Sequence, residues 1–255
     1  MESLDWHSGL AALEWQVELG ADECISDAPI NRYDVPAEAP KVAAKAVKPA
    51  APVITPKLDV VAEAQKAAQA ASNLDELKAA MAGFEHCDLK KGAQNLVFSD
   101  GIVGAPLMVV GEAPGREEDI AGKPFIGAAG AMLDRMLGAI DVSRTKDVYI
   151  TNVIPWRPPS NRDPKSLEIA MMQPFLMRHI ALAAPKVLIA MGNISCQALL
   201  DRKGVTRLRG TWAEAAGLPV MPMFHPAYLL RNPAVKREAW ADLLDVRARL
   251  KESGS

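Results

Sequence analysis

Leu107-Met108-Val109-Val110 runs directly into Gly111-Glu112-Ala113-Pro114-Gly115-Arg116-Glu117-Glu118-Asp119. An apolar run this short, closed by a Gly/Pro turn, reads as a buried strand rather than a helix. The pattern returns at Val220-Met221-Pro222-Met223-Phe224, which leads into His225-Pro226-Ala227-Tyr228-Leu229-Leu230-Arg231. Two further strand candidates, 148–154 and 187–191, lie between them. Helical segments separate or follow the strands at about 128–140, 166–183, 194–200 and 235–250. Strands alternating with helices imply βαβ units. The expected fold is therefore α/β, a three-layer α/β/α sandwich around a central, mainly parallel four-stranded sheet. Residues 209–213 could add a short edge strand. Asn73, with Glu76 three residues later, has the form of an N-cap for a helix through Ala82. In parallel sheets ligands bind at the carboxyl ends of the strands, where both motif segments would sit.

The chain has 255 residues, 49% of them hydrophobic, which is enough for one substantial core with a tail to spare. Its net charge of −2 conceals an uneven distribution. Residues 1–34 hold eight acids against Arg32, and residues 35–57 hold four lysines against Glu38. The stretch 200–252 carries ten Lys/Arg against six Asp/Glu. That basic excess is either a phosphate-facing surface or an ordinary solvated helix face. Three cysteines, Cys24, Cys87 and Cys196, form no Cys-x-x-Cys pair. A disulfide scaffold is not expected, and a reducing, cytoplasmic location is. No apolar run approaches the roughly 20 residues that cross a bilayer, and the first residues lack a signal pattern.

Trp6, Leu10, Leu13 and Val17 fall close to helical spacing, so residues 1–27 read as an acidic extension holding a short amphipathic helix. Residues 28–57 are rich in Ala, Pro and Lys and read as a flexible linker. Residues 58–255 form the expected globular domain. The N-terminal helix either engages a protein partner or is a dispensable extension.

The segment 111–119 lacks both Gly-x-Gly-x-x-Gly and the Lys-Ser/Thr of a P-loop, which argues against nucleotide binding by those routes. It offers Glu112 and Glu118 beside a turn whose Gly and Pro let a ligand approach the backbone. Alternatively, Glu117, Glu118 and Asp119 only charge a helix N-terminus favourably. Phe125, between Pro124 and Gly127 in a loop, can stack on a planar base or pack into the core. Asn152 interrupts an apolar strand and needs partners for its amide. One donor and one acceptor suit a pyrimidine edge; the alternative is capping of the next turn. His225 directly follows a strand, whereas His7, His86 and His179 read as structural. Tyr228, Leu229 and Leu230 form an apolar wedge beside Arg231, suited to insertion into a base stack.

Together these motifs resemble the uracil-DNA glycosylase superfamily, specifically its type 4 branch, over roughly Leu74 to Arg249. The resemblance implies that Glu112 to Asp119 shape the water and base pocket and that Phe125 stacks on uracil. It implies that the Asn152 amide reads uracil O4 and N3–H and rejects cytosine, and that His225 donates to O2 of the departing base. Leu229 and its neighbours match the minor-groove loop of the family. Ala113, in the uracil pocket, stands where the best-known branch has a water-activating Asp. Glu112 or Glu118 then serves in its place, or catalysis rests mainly on leaving-group stabilisation.

Type 4 enzymes usually hold a [4Fe–4S] cluster on four cysteines. By this resemblance only Cys87 is retained, and Phe84, Trp156 and Met171 occupy the other three positions. No cluster and no other metal are expected, and the three large side chains are expected to pack together near Cys87. The resulting expectation is a monomeric hydrolase that excises uracil from DNA and leaves an abasic site, as in base excision repair. Excision of hypoxanthine or xanthine, or a non-catalytic DNA-binding scaffold, are the competing readings.

Overall fold

The computed structural model describes residues 6–18 and 59–254. The first of these is a single helix, α1 (Trp6–Glu18), with Trp6, Leu13 and Trp15 exposed. The expected linker, 28–57, lies outside the described residues.

The remainder begins with α2 (Val60–Ala70), α3 (Leu74–Gly83) and the single turn α4 (Leu89–Gly92). It continues through β1 (Asp100–Gly101), β2 (Leu107–Gly111), α5 (Arg116–Ala121), α6 (Ala128–Gly138) and β3 (Val148–Asn152). Next come α7 (Ser166–Ala183), β4 (Val187–Met191), α8 (Asn193–Leu200) and α9 (Val205–Leu208). The chain closes with β5 (Ala213–Ala215), β6 (Leu218–Met223), α10 (Pro226–Arg231) and α11 (Lys236–Gly254). The Asn73 cap forms as its sequence implies: its side chain accepts from Glu76 N at 2.9 Å while Glu76 Oε2 accepts from Ser72 N.

The strands form one sheet in the order β1-β3-β2-β4-β6-β5. Its four central strands, β3, β2, β4 and β6, are parallel, as expected. Two antiparallel edges enlarge it to six strands, the two-residue β1 against β3 and β5 against β6. The second edge lies at Ala213–Ala215 rather than 209–213, because Arg209 is drawn into an ion pair with Asp242 of α11 and Gly210 turns at φ 70°. Every residue of β2, β3 and β4 is buried, as required of strands covered on both faces. Helices α7 and α8, backed by α2 and α3, form one layer; α6, α10 and α11 form the other.

After β2 the chain leads to β3 on one side, and after β4 it leads to β6 on the other. Such a reversal opens a crevice between the carboxyl ends of β2 and β4.

Candidate active site

A cleft of about 400 Å³ opens there, lined by Glu112, Ala113, Glu118, Phe125, Asn152 and His225, with Arg231 at its edge. A wall that no sequence motif announced comes from Pro158, Asn161, Arg162, Asp163 and Pro164. Ser160 and Asn161 both take positive φ in this wall, and Arg162 anchors it through a paired hydrogen bond to the buried Glu168 of α7.

Glu112 follows β2, and its Oε1 accepts the Ile194 N–H at 3.1 Å from the first turn of α8, which follows β4. The carboxylate thus bridges the crevice onto a helix N-terminus, where backbone N–H groups lack helical partners. Gly192, at φ 95°, is required at this point because a Cβ would overlap Glu112 Oε1. Burial pushes the Glu112 carboxyl above its ordinary value, opposed by the Ile194 hydrogen bond and reinforced by the charge of Asp163.

Glu118 lies in the same cleft with its oxygens already engaged. Oε2 accepts from Gly115 N at 3.1 Å, and Oε1 accepts from Ile126 N at 3.1 Å and Gly127 N at 3.3 Å. Of the two acids singled out by the sequence, Glu118 is therefore bound to the loop that carries Phe125, while Glu112 is held by the backbone at the start of α8.

Phe125 is buried and stacks on His225, with ring centroids 5.5 Å apart and an interplanar angle of 25°. Its backbone is left-handed at φ 53°, a state that costs a residue with a Cβ of order 1–3 kcal/mol. Asn152 is directly opposite Gly111 in the β2–β3 register. A Cβ at Gly111 would overlap both Asn152 Oδ1 and the Phe125 ring, so glycine is what lets these two side chains close against the end of β2. The neighbouring Thr151 hydroxyl is satisfied by the Phe98 carbonyl at 2.7 Å, whereas the nearly buried Asn152 amide has no hydrogen-bond partner among the described residues.

His225 caps α10: its Nδ1 accepts from Ala227 N at 3.2 Å. Burial, helped by Arg231 and opposed by Glu118, lowers its pKa to about 4. The ring is therefore neutral near pH 7. With Nδ1 accepting, the hydrogen bond assigns the proton to Nε2.

The wedge expected at 228–230 requires a correction. Tyr228 and Leu230 are exposed beside Arg231, but Leu229 is fully buried on the side of α10 that meets α6. A helix turns about 100° per residue, so three consecutive side chains cannot share one face. Leu229 is a core residue.

Phe84, Trp156 and Met171, where the resemblance implies cluster ligands, are all buried in the same core as Cys87. Phe84 packs edge-on against Phe175 of α7, one turn from Met171. This donor set does not fit an iron–sulfur cluster, since it provides one thiol, itself pushed upward by burial, among apolar groups.

The cleft thus gathers a carboxylate, an aromatic ring, an amide and an imidazole at the carboxyl ends of the parallel strands. A family model described as the uracil DNA glycosylase superfamily matches residues 98–244, and the chain belongs to that superfamily. It is 36% identical to a type-4 uracil-DNA glycosylase of Archaeoglobus fulgidus over 179 residues, 67% of this chain and 89% of that one. It is 38% identical to a type-4 uracil-DNA glycosylase of Pyrobaculum aerophilum over 180 residues, 67% and 91% of the two chains. A type-5 uracil-DNA glycosylase of the same organism is 30% identical over 149 residues, 52% of this chain and 66% of that one. Among the described residues no helix is long and apolar enough to cross a membrane.

Proposed function

We propose that this protein hydrolyses the N-glycosidic bond between uracil and deoxyribose in DNA, releasing the base and leaving an abasic site. The observation that carries this reading is the meeting, in one cleft, of Glu112, Phe125, Asn152 and His225 from four separate segments of chain. Each offers what the reaction needs. A flipped uracil lies against Phe125, within reach of Asn152. The Asn152 amide donates to O4 and accepts from N3–H, a pattern that cytosine reverses. As the C1′–N1 bond breaks, its electron pair leaves with the base and negative charge grows on O2. The neutral His225 donates there from Nε2, and donors aimed in advance at developing charge are effective because they need no reorganisation. Glu112 orients a water for attack at C1′ and takes its proton, a task for which burial makes the carboxylate a stronger base. Ala113 leaves room for that water.

Glu118 is assigned to positioning the Phe125 loop. Tyr228, Leu230 and Arg231 are assigned to the DNA beside the extruded nucleotide, where flipping costs a few kcal/mol and needs a wedge to offset it. The reading requires no metal or cofactor. Residues 1–57 are assigned as an extension and linker outside the chemistry, since no motif residue falls within them.

The test is excision from oligonucleotides that carry a single uracil, hypoxanthine or xanthine, scored by alkaline cleavage at abasic sites. Cleavage of the uracil strand is expected. Cleavage of the purine-derived substrates alone would reassign the base, and no cleavage of any with DNA binding retained would make the protein a scaffold.

A further inference from the structure

Phe125 does not hold its own place in the cleft. Its left-handed backbone is fixed from outside by Arg144, in the loop between α6 and β3, far from any motif that the sequence displays. The Arg144 guanidinium donates to the Phe125 carbonyl at 2.8 Å and to the Pro124 carbonyl at 3.2 Å. Its remaining directions are set by Asp134 of α6, at 2.8 Å from Nε, and by Asp100 of β1, at 3.1 Å from Nη1. The side chain is 16% exposed. Glu118 in turn accepts the N–H groups of the next two residues, Ile126 and Gly127. A Cβ at Gly130 would overlap the Phe125 carbonyl, so that helix position must be glycine for the carbonyl to point as it does.

We propose that Arg144 is a positioning residue that sets where the Phe125 ring lies, and thereby how tightly and how selectively the cleft takes its base, without touching substrate. This rests on the reading that Phe125 stacks on uracil. Two consecutive carbonyls held by one planar fork fix the direction of the intervening peptide. Released from the fork, an aromatic residue at positive φ relaxes toward the ordinary β or right-handed regions, which carries its ring away from His225. The two carboxylates hold the plane of the fork so that it meets both carbonyls edge-on. Lysine cannot substitute, because a single ammonium on a flexible stem has no fixed fork to span acceptors from three segments.

The experiment uses the full chain with Arg144→Ala, Arg144→Lys, Phe125→Ala and the double variant Arg144→Ala/Phe125→Ala. The readouts are thermal melting, hydrogen–deuterium exchange of the segment 123–128, single-turnover excision of uracil, and inhibition by free uracil. Arg144→Ala is expected to expose that segment to exchange and to lower the excision rate about 10–100-fold, the scale of an ångström of misplacement. Inhibition by free uracil should weaken in parallel. Arg144→Lys should melt close to the parent yet recover little of the rate, and the double variant should be no slower than Phe125→Ala. Unchanged rate and uracil inhibition in both Arg144 variants would overturn the proposal while leaving the glycosylase reading intact. Additive losses in the double variant would do the same. A Phe125→Ala protein as fast as the parent would overturn the stacking reading and this proposal with it. Should Arg144→Ala not fold, the Arg144→Lys comparison decides alone.

Discussion

The Nδ1 of His225 accepts the backbone N–H of Ala227 two residues on, which leaves Nε2 as the proton-bearing nitrogen of a ring that burial keeps neutral. A lone imidazole is thereby made a directed donor with no charge of its own to neutralise. His225→Ala is expected to lower single-turnover excision by about 10²–10³-fold, the effect of losing one such donor. DNA affinity should persist, because phosphate contacts position a protein on DNA. Gel-shift titration beside rapid-quench excision separates the two, and weakened binding at an unchanged rate would make His225 structural.

The acid side of the pH–rate profile should belong to Glu112. Its carboxyl is raised above the ordinary 4.5, and only the ionised form accepts the proton of water, so the rate falls as pH drops through that raised value. His225, at about 4, contributes no step between pH 5 and 8. Glu112→Gln should slow excision by about 10²–10⁴-fold and abolish the acid limb. Single-turnover rates of both proteins from pH 5 to 8 check this.

Base choice should be controlled from Asn152 and from Gly111, against which the Asn152 amide and the Phe125 ring pack. Asn152→Asp sets an acceptor against uracil O4 and is expected to weaken uracil excision and narrow its margin over cytosine. Gly111→Ala introduces a methyl that the Asn152 amide and the Phe125 ring must move to accommodate. Inhibition by free uracil should be lost in Gly111→Ala while melting changes little. Undiminished uracil inhibition in either variant would remove that residue from the base slot.

Leu229 and Leu230 should respond oppositely despite being neighbours. Leu229 is fully buried, so Leu229→Ala should destabilise by about 2–5 kcal/mol in urea unfolding. Leu230 is exposed beside the cleft, so Leu230→Ala should change stability by less than about 0.5 kcal/mol. Its loss should slow excision from duplex more than from single-stranded DNA, since only the duplex must be unstacked.

Trp156 is buried in the core with Phe84, Met171 and Cys87. Trp156→Ala should cost about 3–5 kcal/mol of stability at any iron concentration. A purified parent protein with iron-dependent visible absorbance would contradict the donor set described here.

The parallel core could be read from the sequence because its determinants are local. Four short apolar runs end on turn residues, and each is a strand buried on both faces. The Asn73 cap was equally legible, since its donor and acceptor lie three residues apart. Gly111, Asn152 and His225 could be singled out because each breaks an apolar run at a strand's carboxyl end. Glu112 could be found but not ranked against Glu118, because the groups that distinguish them reach the carboxylates only in the folded chain. One is the N–H of Ile194, 82 residues away; the others are the N–H groups of Ile126 and Gly127. The helix α2 was not foreseen, because its largely Ala and polar residues acquire an inward face only when packed on α7. Neither was the burial of Leu229, which depends on how α10 is rotated against α6. Arg144 stood out by no pattern at all, since its acceptors belong to three segments that only the folded chain brings together. Backbone preference and hydrophobic period act over a few residues, so they were written in the sequence. Which carboxylate is engaged, which leucine faces inward and which arginine aims an aromatic ring depend on long-range packing, and only the tertiary structure decided them.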